Sequence, residues 1–436
     1  MYILEDLILP KSQKIKAIRK YLKINQQDLA GDRIDRSLIS YIENGKTKLT
    51  RDTANIIALN LGKILRQKKL DFNVSGEYIF ADESHQVGFL LDSYIDKLIK
   101  FKNSNDESFK IELGKIEDIL NEWDISSKKA KVFEIAGDYY YEKSLNEESK
   151  IYYLKSLENY SRLSDYNNMA DINSKIARCA LKKNNYEEAS YINMHVLYMI
   201  ESNNIDNPIL EKRVLFNNAL ANVKLKRFET GMEMLEKLKT KLKDDEWPQY
   251  TEVLILQANI HIEKCENYEA LNTFEQILTI SKNTGNRESE AMANNNLGYI
   301  YRILNNYDKS IYYYAESLHI REKINSKFML STLVSLAETY FINREKEYGQ
   351  KYLIRALQII KSKNDIPNKY KIYTSLLDIF MNTNCTELEQ IMYDDIIDLI
   401  KQNKKEQETQ ELIIKLCRYY IKHDIERVKN ILEIAL

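Results

Sequence analysis

The stretch from Asn296 to Leu318 reads NLGYIYRILNNYDKSIYYYAESL. A small residue follows a leucine, an aromatic comes three positions later, and a turn intervenes at Asn305-Asn306. Asn-Tyr then leads into small, aromatic and small residues again. Gly298 would let a paired helix approach closely, and Tyr301, Tyr307 and Tyr314 would fill the gap between the two. The same small position recurs at Gly137, Ala177, Ala219, Ala258, Gly298, Ala337, Asp378 and Cys417, at intervals of 40, 42, 39, 40, 39, 41 and 39 residues. A chain that repeats itself on this scale is built of stacked supersecondary units, each packed on its neighbours.

The wording of the unit resembles the tetratricopeptide repeat, with a period above the standard of about 34 residues. The resemblance implies a right-handed superhelix of helix pairs. Second helices are recognisable at Tyr153–Leu157, Tyr186–Ala189 and Ala270–Phe274. The last two units are degenerate and end at Ala435-Leu436, as a terminal cap does, and a further helix pair is expected over 85–122.

Composition agrees with an all-α chain. Only 11 Gly and 4 Pro occur in 436 residues, with 30% charged and 44% hydrophobic residues. So few glycines suggest few positions able to form left-handed turns. Net charge is −1 overall, yet Lys11 to Lys69 carries 15 Lys/Arg against 5 Asp/Glu. A basic head on an acidic body predicts that the head alone meets a polyanion. Cys179, Cys265, Cys385 and Cys417 show no C-x-x-C spacing and read as reduced, packed thiols. The first residues lack the basic start and apolar core of a signal peptide, and no stretch approaches the ~20 apolar residues of a membrane span. A cytoplasmic protein is expected.

In the head, Ile15, Ile18 and Leu22 fall on one helical face. Asn25, Asp35 and Thr50 can cap helices beginning at Gln26, Arg36 and Arg51, with Gly31 and Asn44-Gly45 as breaks. Ile18-Arg19-Lys20-Tyr21-Leu22, Asn25 to Ala30 and Arg36 to Gly45 resemble the Xre/Cro-like helix-turn-helix regulators over some 55 residues. The turn between helices two and three is one residue shorter than the common family form. The resemblance implies double-stranded DNA as ligand and carries over Gln26 and Gln27 at the start of helix two, and Arg36, Ser37, Ser40 and Tyr41 on the front of helix three. Arg36, able to bond guanine bidentately, is the candidate base reader; Lys46 and Lys48 would position the backbone.

The first helix of each repeat would line an inner groove suited to an extended peptide. Polar residues expected there are Asn173, Arg178, Asn217, Asn218, Asn222, Asn259, Asn295, Asn296, Tyr299 and Arg302. An asparagine offers both donor and acceptor to a peptide backbone, and Arg178 or Arg302 could hold a carboxylate. Surface asparagine is also ordinary in a chain this rich in it.

No Walker motif, no G-x-G-x-x-G and no H-E-x-x-H is present. His85, His195, His261, His319 and His423 are scattered, and Asp394-Asp395 reads as a charged helix face. No enzyme, metal or cofactor is expected. The domain reading is a helix-turn-helix over 1–66, a linker over 67–84 whose Ser75 and Gly76 let the head reorient, and repeats over 85–436. Such a head on such a body resembles the Rap–Rgg–NprR–PlcR–PrgX group of peptide receptors. That resemblance implies a homodimer, a short signalling peptide in the groove, and operator binding controlled by it. Alternatives are a body that docks a signalling protein, or one that only dimerises a constitutive repressor.

Overall fold

The computed structural model describes residues 8–70, 74–104, 107–243, 245–362, 369–383, 389–402, 407–421 and 424–435. Cys385, His423 and Leu436 lie outside them. Among the described residues all regular structure is helical, and no helix is long and apolar enough to cross a membrane. The chain divides into two compact units, one ending at Leu225 and the other beginning at Lys226.

The first unit opens with α1 (Lys11–Tyr21), α2 (Gln26–Ala30), α3 (Arg36–Glu43) and α4 (Arg51–Gln67). Three of these start on the caps read from the sequence. Asn25 Oδ1 accepts the Asp28 N–H at 2.9 Å while the Asp28 carboxylate accepts the Asn25 N–H at 2.8 Å, a reciprocal cap. Asp35 accepts the Ser37 N–H at 2.7 Å and Thr50 the Thr53 N–H at 3.2 Å. Ile15, Ile18, Leu29, Ile39, Ile42, Ile57 and Leu61 form the buried core. Gly31 has φ of 59°, and a Cβ there would lie 2.7 Å from Asn60 Nδ2, so both backbone and space demand glycine.

The described part of the stretch read as a linker is packed. Residues Gly76–Phe80 form α5, capped by Ser75, and Ile79 and Val74 are buried in the head core. Gly76 lies against Asn55, where a Cβ would overlap the side chain. The two apolar side chains supply what Ser75 and Gly76 alone concealed: a reason to dock. Lys14 of α1 is buried and donates to the carbonyls of Tyr78 and Ala81. Gln86, on α6 (Glu83–Ser104), donates to the Leu9 carbonyl at 2.7 Å and to that of Ala81 at 3.1 Å. Head and first body helix are thus bonded through the same few backbone groups.

Burial, with Lys11 adding repulsion, pushes the Lys14 ammonium down from 10.5 to about 8. Between those values the unfolded chain holds a proton that the folded one has released, so this group makes stability rise with pH across that window. The test is proton release measured alongside denaturant melts: Lys14→Met should lack that rise. Equal pH slopes in the two proteins would refute it.

The body of the first unit continues with α7 (Ser108–Glu122), α8 (Ser126–Glu142), α9 (Asn146–Arg162), α10 (Tyr166–Lys182), α11 (Tyr186–Ser202) and α12 (Pro208–Lys224). The expected pair over 85–122 is α6 with α7. In the second unit come α13 (Phe228–Lys241), α14 (Trp247–Glu263), α15 (Asn267–Thr284), α16 (Arg287–Ile303), α17 (Tyr307–Lys323), α18 (Met329–Ile342) and α19 (Lys346–Ser362). It closes with α20 (Lys369–Thr383), α21 (Glu389–Gln402), α22 (Gln407–Tyr420) and α23 (Ile425–Ala435).

The pairs close on the small positions. A Cβ on Gly137 would meet the Tyr153 ring at 2.4 Å, and one on Gly298 the Tyr314 ring at 2.8 Å. Both tyrosines are fully buried. A serine hydroxyl from the second helix seals each contact: Ser149 donates to the Gly137 carbonyl at 2.9 Å, and Ser310 to that of Gly298 at 2.7 Å. Ser156 and Ser317 repeat the bond two helical turns along the same pairs, to Ala130 and Ala291.

The expectation of few left-handed turns is corrected here. Ser144, Ser164, Asn184, Asn204, Lys226, Cys265, Asn305, Asn325 and Arg344 all have positive φ, at one helix end after another. At these nine helix ends a residue other than glycine takes the left-handed conformation, a state costing roughly 1 kcal/mol or more for a residue with a Cβ.

Candidate functional site

Two faces carry the residues singled out by sequence. On the head, α3 is anchored from behind. Arg19 grips Glu43 through Nε at 2.6 Å and Nη2 at 2.9 Å, and Gln26 Nε2 donates to the same carboxylate at 2.9 Å. Burial alone would push the Glu43 carboxyl up; the bonds from Arg19 and Gln26 outweigh it and hold the group below its ordinary value. Gln26 therefore serves the head's interior through its N–H, which removes that donor from the exposed front. Gln27 is exposed and donates to the Gly31 carbonyl at 3.1 Å.

The front of α3 is open. Arg36 and Ser37 are exposed, Tyr41 is half-exposed, and Ser40 is partly covered. Lys46 and Lys48 are exposed beyond the helix end. Among the described residues nothing bonds the Arg36 guanidinium. The helix thus presents a cation, a hydroxyl and a phenol on one side, with Ile39 and Ile42 buried on the other.

In the first unit, α8, α10 and α12 carry a charged network that sequence reading missed. Lys175 is buried and meets Glu134 at 2.8 Å, Asp138 at 3.1 Å and Asp171 at 3.7 Å. Arg213 pairs with Asp171 and bonds Ser174 at 3.2 Å. Tyr153 donates to Asp138 at 2.7 Å and Tyr160 to Glu134 at 3.0 Å. Burial pushes the Lys175 ammonium down, but Asp138 and Glu134 more than reverse that and leave it raised. For Glu134, burial raises the carboxyl and Lys175 outweighs it, so the group is lowered. The signal was available: these charges recur on successive first helices at separations near the repeat length.

The candidate peptide residues separate. Asn218 and Asn222 are buried, and Asn222 Nδ2 donates to Asn218 Oδ1 at 2.9 Å and to Ser190 Oγ of α11 at 3.1 Å. They knit α12 to α11 and line no open face. Asn173 donates to the Met169 carbonyl and Asn296 to that of Met292, each at 2.9 Å along its own helix. Arg178 is half-buried with its guanidinium 4.8 Å from the Tyr141 ring, and its Nε has no partner; neither has Nδ2 of Asn217.

In the second unit Asn259 is exposed. Asn295 Oδ1 accepts from Thr332 at 2.9 Å and from buried Arg321 at 3.4 Å. Arg302 pairs with Glu338 and lies 5.7 Å from the Tyr299 ring. Among the described residues no three His, Cys, Asp or Glu are placed to hold a metal ion.

Residues 250–323 match the family model described as tetratricopeptide repeat, the region that contains the Asn296–Leu318 unit. No curated protein sequence matches the chain. The crystal structure of the apo form of RapI is similar at a TM-score of 0.54 and 14% identity, over 79% of this chain and 96% of that one. The apo form of the quorum sensor NprR from B. thuringiensis is similar at a TM-score of 0.51 and 15% identity, over 81% of this chain and 99% of that one. Buried glycine–tyrosine contacts, the forty-residue period and these likenesses agree: the chain has the all-α tetratricopeptide-repeat fold of the RapI and NprR structures.

Proposed function

We propose that this is a cytoplasmic transcriptional regulator that binds operator DNA as a dimer and answers to a short signalling peptide held by its repeats. The observation that carries the reading is the pairing of an open, cationic α3 front, internally braced by Arg19 and Glu43, with a repeat fold like that of a quorum sensor. In this reading the head is a helix-turn-helix. Arg36 reads a base edge, Ser37, Ser40 and Tyr41 reach bases or phosphates, and Lys46 and Lys48 hold the backbone. The two recognition helices of a dimer set half-sites about one helical turn, or a multiple, apart. Peptide binding favours one state of the repeats and so biases the head pair. No chemical step is assigned to the protein.

The test is binding of the full chain to genomic fragments, selected and then footprinted, with the oligomeric state followed by light scattering. Arg36→Ala should weaken the selected operator by about 1–3 kcal/mol and relax one base position. Lys46→Ala should weaken all fragments alike and shallow the salt dependence. Selection of no fragment above random DNA would sink the regulator reading. A stable protein partner, with no peptide bound in calorimetry, would favour a docking scaffold.

A further inference from the structure

The second unit carries a pocket that no sequence motif marks. It encloses about 630 Å³ between the first turn of α14 and the middle of α15, and Trp247, Tyr250, Asn272, Glu275 and Gln276 line it. Tyr250 and Asn259 are nine residues apart, which at about 100° per residue sets them on opposite sides of α14. The pocket is therefore separate from the face on which Asn259 is expected to meet a peptide.

The lining has a definite chemistry. Trp247 is one of two tryptophans in the chain and is 45% exposed, although a ring of that size ordinarily buries most of its surface. At 14 residues α13 is shorter than α15 and α17, at 18 and 17, so Trp247 stands where the preceding helix has already ended. Its ring meets that of Tyr250 edge to face, with centroids 6.2 Å apart and planes at 88°, and the two make an aromatic corner. Glu275 is the one charged side chain lining the pocket, and it is exposed. Among the described residues nothing pairs with its carboxylate, and nothing bonds the amides of Asn272 and Gln276.

A free carboxylate and two amide carbonyls beside an aromatic corner are complementary to a planar cation with donors in its plane. A guanidinium stacks its face on an aromatic ring and turns its N–H groups to the oxygens around it. An ammonium is a point charge without that face, and a quaternary ammonium has no donor to give the oxygens. We propose that Trp247, Tyr250 and Glu275 form a pocket for the guanidinium of an arginine side chain presented by a polypeptide partner. The pocket depends neither on the DNA-binding head nor on a peptide lying along the first helices.

The test uses the full-length chain carrying Trp123→Phe, which leaves Trp247 as the sole tryptophan and its fluorescence as the reporter. Acetyl-glycyl-arginyl-glycine amide is titrated beside the same peptide with lysine or glutamine at the centre, and beside tetramethylammonium. The arginine peptide should shift the emission with a Kd of roughly 1 mM, as suits a single side chain, and the glutamine peptide should leave it unchanged. Glu275→Gln should weaken the arginine peptide about tenfold at an unchanged melting temperature, because the carboxylate has no partner in the fold to lose. Trp247→Leu, followed by saturation transfer to the arginine side chain in NMR, should abolish binding. No response to the arginine peptide, or an arginine peptide held equally well by Glu275→Gln, would overturn the pocket. Lysine peptide or tetramethylammonium held as tightly as arginine would overturn the guanidinium assignment.

Discussion

Lys175→Met is expected to destabilise the first unit by about 3–5 kcal/mol, since removing one member of a buried charge cluster strands the others. Glu134 would keep the Tyr160 hydroxyl and the half-exposed Lys131, Asp138 would keep the Tyr153 hydroxyl, and Asp171 would keep Arg213. The pH dependence should change sign as well. In the wild type the Glu134 carboxyl lies below its ordinary value of 4.5. Its contribution is therefore present above that value and lost as pH falls through the lowered folded one. Without Lys175, burial, the largest influence on the carboxyl, is opposed only by Lys131 at the surface. Folding would then favour the protonated form, and the variant should gain stability on mild acidification where the wild type loses it. Urea melts at about pH 7 and about pH 4, the second inside the window where a lowered carboxyl loses its contribution, with hydrogen exchange read in α8, α10 and α12, decide the matter. A variant that melts like the wild type at both would show that the cluster is neutral in energy.

Arg19→Ala should cost the head about 3 kcal/mol by the same logic. The Glu43 side chain is 1% exposed and would be left with Gln26 as its one bonding partner among those seen. The core of this head is small, so a loss of that size is a large fraction of its stability. The expected outcome is fast exchange across α1 to α4 and loss of the proposed DNA binding, while α8 to α12 keep their protection. The double variant Arg19→Met/Glu43→Leu should recover most of the stability, because apolar residues replace the pair without stranding a charge. If the single variant loses DNA affinity with the head still protected, Arg19 touches DNA and does not brace α3.

Features set by local chemistry were legible. Caps at Asn25, Asp35 and Thr50 name their helices because each oxygen has one backbone N–H within reach. Gly137 and Gly298 announce their tyrosines because nothing larger fits beneath the ring. The face expected from sequence to hold a peptide was less legible. Asn217 and Asn218 are neighbours in sequence, yet one helical residue rotates a side chain by about 100°. Asn218 accordingly turns into the α11 contact with Ser190, while Asn217 keeps an unpartnered amide. Residue type alone does not set that phase. The linker reading followed Ser75 and Gly76 and gave too little weight to Val74 and Ile79, whose burial decides how the segment sits.

The left-handed residues at the helix ends bear on how such a chain can drift. Glycine is encoded only by G-rich triplets, whereas asparagine and lysine need none. A repeat whose turns close on Asn184, Asn204, Lys226, Asn305 or Asn325 can lose its glycine codons to a genome under AT pressure without losing its path. The cost recurs at each turn and is borne by the buried glycine–tyrosine and serine contacts on either side. Glycine is sterically held at Gly31, Gly137 and Gly298, where a Cβ would meet a neighbouring side chain, whereas at Gly62, Gly88 and Gly114 a Cβ would meet open space.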